Sequence, residues 1–315
     1  MTGAALQVAV YLVVSPLSVG VVQWLKARLQ GRRGPDPLQP YRDLWKLMHI
    51  QPTRPRTSSA VFLVAPAIVF TSYALLGLAL PTIVITSGGP DMDFLLVVGL
   101  ISLAKFAGTL AAFDAGSPFG PMSAGRQWFI QVLAEPALLV TAYIFALSDH
   151  TTDVASLRHH PTSHLSLVSG FNQGVVSIAF GALLFVLLAE SGRLPFDRPG
   201  THLELTMIEE GIVLEYSGRA LALMWWGYAM KLTFVLSLVA FLALPPERSS
   251  GLGAGGLAGA AIIYAAKLAT LLVALAIWET ARSKMRLRAI LPHLMLAAGV
   301  LLFTLASIIL TQRGR

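Results

Sequence analysis

Long apolar stretches alternate with short polar ones along almost the whole chain. Eight of them approach the ~20 residues that a helix needs to cross a bilayer. They lie at about 4–25, 60–86, 94–113, 127–147, 170–190, 219–244, 254–280 and 289–311. The pattern predicts an all-α, polytopic membrane protein of eight transmembrane helices. The sixth and seventh are the longest and fit a tilted path. No soluble domain interrupts them, so residues 1–315 are expected to form a single membrane domain. No internal repeat marks a transporter built from two related halves. The first segment lacks a basic leader and a small-residue cleavage site, and is expected to be a retained helix rather than a signal peptide.

One polar connection contains an element of its own. Pro40 is suited to the first turn of a helix running through Tyr41 to His49. Leu44, Leu47 and Met48 fall on one face, with Arg42, Asp43, Lys46 and His49 elsewhere. With Trp45 beside it, this reads either as a short interfacial helix or as a solvated amphipathic connector.

Composition agrees with the pattern. Only 12% of residues are charged, against about 25% in soluble domains. The formal net charge of +7 could suit nucleic acid. However, the basic residues cluster between apolar segments, which fits lipid head groups and the positive-inside rule better. Sixteen basic residues fall in the connections after helices 1, 3, 5 and 7, and four on the opposite side. The first set should therefore face the cytoplasm, with both termini outside the cell membrane. The chain has no cysteine, so iron–sulfur clusters ligated by thiolates must lie in partner subunits.

Several ionisable residues lie inside or at the ends of the apolar segments, where charge is costly and usually functional. The lysines are Lys105, Lys231 and Lys267; the acids are Asp114, Glu135, Glu190 and Glu279. A lysine costs roughly 2.5–3.5 kcal/mol at a helix centre on insertion scales, so each needs a polar path, a partner or a route to the surface. Pro136 follows Glu135 and removes a backbone donor there. Structural ion pairing between these acids and lysines is the alternative to a proton path.

The densest charge lies between the fifth and sixth segments. It includes Arg193, Asp197, His202, Glu204, Glu209, Glu210, Glu215 and Arg219. If residues 201–215 form one helix, Glu204 and Glu215 share a face, three turns apart. Thr201 and Glu204 also fit a capping box, but capping does not account for the other three glutamates. His202 is poised for proton exchange. His159, His160 and His164 lie close together, but no carboxylate or cysteine completes a metal site, and no metal is expected. There is no nucleophile–base motif and no phosphate-binding glycine loop.

The motifs carry a resemblance. Glu190-Ser191-Gly192-Arg193-Leu194-Pro195-Phe196-Asp197-Arg198-Pro199, followed by a Glu-rich segment ending Glu215-Tyr216-Ser217-Gly218, resembles the helix 5–6 loop of the complex I subunit 1 family. Thr201-His202-Leu203-Glu204-Leu205-Thr206-Met207 is more similar to its relatives in formate hydrogenlyases and group 4 membrane-bound nickel–iron hydrogenases. Gly34-Pro35 and Leu38-Gln39-Pro40 through Leu47 resemble the family's first cytoplasmic loop. Asp114 through Arg126, and then Glu135-Pro136, resemble the segment leading into helix 4 and its glutamate. The resemblance implies eight helices in a broken, tilted arrangement, at the junction between a redox arm and a membrane arm. It implies that Glu190, Arg193, Asp197, Glu204 and Glu215 link a chamber to the membrane and that Glu135 carries the link inward. Arg28, Arg32, Arg42, Asp43 and Lys46 would lie near the chamber mouth and partner surface, and Arg33 and Arg126 join them as docking candidates.

The expected function is a non-catalytic membrane anchor and ion-translocating subunit. It would couple electron transfer in a hydrogenase-type redox arm to proton or sodium movement. The implied partners are hydrogenase-like large and small (iron–sulfur) subunits, antiporter-like membrane subunits and lipid, in a prokaryotic inner membrane. Iron–sulfur clusters and a nickel–iron centre would belong to those partners. One alternative is the quinone-chamber subunit of a complex I-like quinone reductase, with quinone as a ligand. Another is a stand-alone cation transporter, against which the missing repeat argues.

Overall fold

The computed structural model describes residues 2–79, 92–149, 173–197, 207–243 and 254–313. Among these the chain is helical throughout, with ten helices: α1 Thr2–Leu29, α2 Gln39–His49, α3 Ala60–Ala79, α4 Phe94–Asp114, α5 Phe119–Asp149, α6 Gln173–Glu190, α7 Glu209–Ile212, α8 Gly218–Ala243, α9 Ala254–Ala281 and α10 Leu287–Arg313. Seven of the described helices are long and apolar enough to cross a membrane. The eighth expected span coincides with α6, whose described apolar run is the shorter Ile178–Glu190.

One boundary moves substantially. The apolar pattern starts the fourth span near 127, but α5 starts at Phe119. Ser117 Oγ accepts the Gly120 N–H at 3.3 Å, which serves a donor that the first turn leaves free. Pro121 is tolerated so near the helix start. Arg126 is therefore not a loop residue; its guanidinium donates to the Met207 carbonyl at 3.2 Å. It holds α5 to the approach to α7 and is not a free docking cation.

A larger correction concerns residues 201–215. Among those described, only Glu209–Ile212 are helical, and the chain turns at 213–217 before α8. A single helix reaching Glu215 is not formed, so a shared face for Glu204 and Glu215 is lost. Tertiary packing accounts for the break. Gly211 lies so close to α5 that a β-carbon there would stand 2.0 Å from Ser123 Oγ. Tyr216 stacks on Phe62 with ring centroids 4.0 Å apart and donates to the Phe62 carbonyl at 2.8 Å. Burial pushes the Tyr216 hydroxyl above its ordinary pKa, with the nearby Asp114 carboxylate adding to the effect. Glu204 and His202 lie outside the described residues.

Helix α2 forms where the proline and the apolar spacing place it, with proline in its first turn. It packs on α8 and α1. Leu44, Leu47 and Met48 are half-buried, while Arg42, Trp45, Lys46 and His49 are exposed. Arg219, in the first turn of α8, donates to the Met48 carbonyl at 3.1 Å and secures the end of α2.

The connections after α1, α4, α6 and α9 meet on one side of the bundle. The Ser59 N–H donates to Asp114 at 2.7 Å, and the Thr53 N–H donates to Ser217 Oγ at 2.7 Å. The Met285 N–H donates to the Pro195 carbonyl at 2.9 Å. These are the connections that carry most of the basic residues.

Candidate functional site

A cavity of about 350 Å³ opens where these connections converge. Its wall includes Pro16, Val19, Gln23 and Lys26 of α1, and Pro40, Asp43 and Leu44 of α2. Ser191, Gly192, Arg193 and Asp197 come from the connection after α6, Glu209 and Glu210 from α7, and Trp225, Tyr228 and Ala229 from α8. The family-like segment at 190–197 and the acidic segment therefore face one space, together with the amphipathic helix.

Two sets of ion pairs hold the wall. Lys26 Nζ donates to Glu279 Oε2 at 2.5 Å, and Arg193 lies 3.4 Å from the other oxygen of the same carboxylate. Glu279 is 3% exposed, so α9 contributes a buried anion that joins α1 to the 190–197 segment. Lys284 donates to Asp197 Oδ1 at 2.8 Å. Asp197 Oδ2 accepts the backbone N–H groups of Ile208 and Glu209 at 3.2 and 3.1 Å. One carboxylate thus fixes the start of α7 and ties it to the connection before α10.

From the cavity the charges continue into the bundle. Glu209, on the wall, accepts a hydrogen bond from Lys231 of α8, which is 2% exposed. Lys231 lies within electrostatic range of Lys105 and Glu190. Lys105 of α4 donates to Glu190 Oε2 at the end of α6, and both are buried. The other Glu190 oxygen has no hydrogen-bond partner among the described residues. A buried acceptor in that state is costly, and protonating it or hydrating it relieves the cost. On α5, Gln131 donates to Glu135 through its amide nitrogen, and its own oxygen is likewise buried and unpartnered among the described residues. Buried charge is paired at each step from Glu209 to Glu190, as low-dielectric surroundings require.

The structure brings Glu190, Glu209, Glu210, Arg193, Asp197, Lys105, Lys231 and Glu279 around this cavity and its inward extension. Glu135 is half-buried on α5, and its bonded neighbour is Gln131 rather than a lysine. Asp114 lies elsewhere: its carboxylate accepts the N–H groups of Ser59 and Phe62 at 2.7 and 3.1 Å, capping the start of α3. Lys267 is half-buried on α9, a helix that packs on α1 and α8. Glu215 is half-buried in the turn before α8, and Arg219 serves α2. Arg28, Arg32, Arg33, Arg42 and Lys46 are exposed around α2, with Arg42 3.0 Å from Asp36. Asp43 faces the cavity. By sequence, Lys26 and Lys284 are only basic loop residues. Nothing in their spacing announces that they pair with Glu279 and Asp197, more than 80 residues away.

Fold and site together define a polytopic membrane subunit whose buried charges lead inward from a cavity at one face. Comparison with known proteins gives the family. The NADH dehydrogenase family matches residues 2–312, and the chain belongs to that family, whose pattern is that of complex I subunit 1. It is 32% identical over 288 residues to formate hydrogenlyase subunit 4 of Escherichia coli, covering 90% of each chain. It is 31% identical over 287 residues to hydrogenase-4 component C of the same organism, covering 90% of this chain and 88% of that one. An NADH-quinone oxidoreductase membrane protein of Rickettsia canadensis is 26% identical over 266 residues, covering 79% of this chain and 76% of that one. A chain of the archaeal membrane-bound sulfane sulfur reductase shares the fold, with a TM-score of 0.77 at 16% identity over 98% of both chains. The protein is thus a multi-pass membrane subunit of the oxidoreductase-complex type, with hydrogenase-type relatives.

Proposed function

We propose that this chain anchors a hydrogenase-type redox arm to the membrane and couples its electron transfer to proton or sodium movement. The observation that carries the reading is the run of paired charges from Glu209 on the cavity wall, through Lys231, to Lys105 and Glu190 inside the bundle. Redox-driven displacement of the 190–197 segment alters the field on Glu209 through Asp197. The Glu209–Lys231 pair then loosens, and the change in charge passes to Lys105–Glu190, where the free Glu190 oxygen takes a proton. Glu135, Glu204 and Glu215 are proposed members of the same path. Large and small iron–sulfur subunits would dock on the exposed basic residues around α2, and antiporter-like subunits would continue the path in the membrane. The connections that carry sixteen basic residues would face the cytoplasm of a prokaryotic cell, with both termini outside.

The names of the two E. coli relatives favour hydrogen chemistry in the partner arm. The test is the purified complex supplied with a low-potential electron donor and no quinone. Hydrogen evolution under these conditions supports the reading. Donor-to-quinone turnover without hydrogen would make the cavity a quinone chamber, the reading that the name of the Rickettsia relative favours.

A further inference from the structure

The cavity wall carries charges that ion pairing within the chain does not balance locally. Lys26 and Arg193 share one carboxylate, Glu279, which leaves one surplus positive charge. Both cations line the cavity. Asp43 lines it too; its carboxylate accepts the Gln39 amide at 2.8 Å and pairs with no cation among the described residues. A surplus cation and a surplus anion thus face one enclosed space. Much of the remaining wall is apolar, with Pro16, Val19, Leu44 and Trp225. Pro16 and Lys26 both lie on α1, ten residues apart, so the cavity follows that helix for about 15 Å into the apolar part of the bundle.

We propose that this cavity is a phospholipid site that selects a zwitterionic, ethanolamine-type head group. The phosphate lies against Lys26 and Arg193, the ammonium against Asp43, and the start of the acyl chains against the apolar wall. The volume is that of a small-ligand pocket. Competing occupants satisfy less of it. A quinone ring accepts hydrogen bonds from the two cations but brings no charge to either surplus. An anionic lipid such as phosphatidylglycerol neutralises the cations and brings no cation to Asp43. This reading goes beyond ion coupling and does not depend on it, because lipid retention is measured without turnover.

The test uses the whole purified complex, equilibrated in nanodiscs holding phosphatidylethanolamine, phosphatidylglycerol and a quinone. Detergent release and native mass spectrometry then count the ligands retained. The parent should keep one phosphatidylethanolamine in preference to the others. Asp43→Asn should reduce that retention about tenfold and shift selection toward phosphatidylglycerol. Lys26→Gln should reduce retention of both phospholipids. If that variant does not assemble, Asp43→Asn decides alone, since Asp43 sits on a surface helix and its bonded neighbour is Gln39 of the same helix. Equal retention of the two lipids by the parent, quinone in the place of phospholipid, no retained lipid, or an Asp43→Asn variant with parental selection would each overturn the proposal.

Discussion

Gly192 lies directly against the carboxylate of Glu209. A β-carbon at 192 would stand 2.5 Å from Glu209 Cδ and 2.5 Å from Oε1, and the Gly192 φ of +62° is one that side chains rarely adopt. The glycine therefore lets the family-like loop approach the first carboxylate of the buried chain. Gly192→Ala should cost about 1–2 kcal/mol of stability and should push Glu209 away from Lys231. Fewer ions should then be moved per electron in an assembled complex. Gly31→Ala is the control: its φ is +69° and nothing lies within 4 Å of the added carbon. It should show similar backbone strain with a parental ion-to-electron ratio. Equal ratios in both variants would mean that the contact at Gly192 is packing alone.

Asp197 is the strongest anchor of the cavity wall, with Lys284 on one oxygen and two backbone N–H groups on the other. Asp197→Ala should destabilise the complex by about 3 kcal/mol, because it strands two donors and a cation in a mostly buried place. The loss should exceed that of Lys284→Ala, whose side chain is 24% exposed. Thermal unfolding in detergent checks the order. A smaller loss at Asp197 than at Lys284 would remove the clamp from the account.

The Lys105–Glu190 pair separates structure from function. Glu190→Gln leaves a buried ammonium without its counter-charge and should cost about 3–5 kcal/mol. Adding Lys105→Met removes the stranded charge, so the double variant should regain most of that stability. A double variant no more stable than Glu190→Gln would show that the two residues are not coupled as the contact implies.

Topology follows from the shared side of the basic connections. Cysteine introduced at Thr2 should react with an impermeant reagent added to intact cells. Cysteine introduced at the exposed Arg32 should react only after lysis. The reverse pattern would place the cavity and its charges on the outer face.

The spans and helix α2 are legible in the sequence because lipid imposes unbroken apolar runs, and Pro40 with Leu44, Leu47 and Met48 marks one helical face. Lys105, Lys231 and Glu190 stand out because charge in apolar sequence is rare. Their pairing is not legible. Glu209 meets Lys231 because α7 stops after Ile212, and what stops it is the long-range contact of Gly211 with Ser123 and the stacking of Tyr216 on Phe62. A helical projection through residue 215 ignores both. Asp114 resembles a path residue by position, yet its partners are two N–H groups at the start of α3, a role set by three-dimensional approach rather than spacing.

The central claim is that buried charge exchange at Lys105–Glu190 carries ion movement. The most direct measurement is the number of ions moved per electron in sealed vesicles containing the Lys105→Met, Glu190→Gln double variant, with donor oxidation followed in the same sample. Donor oxidation should persist while ion movement per electron falls to the level of uncoupled vesicles. A stable double variant that moves ions at the parental ratio would contradict the account and leave the pair a structural bridge between α4 and α6.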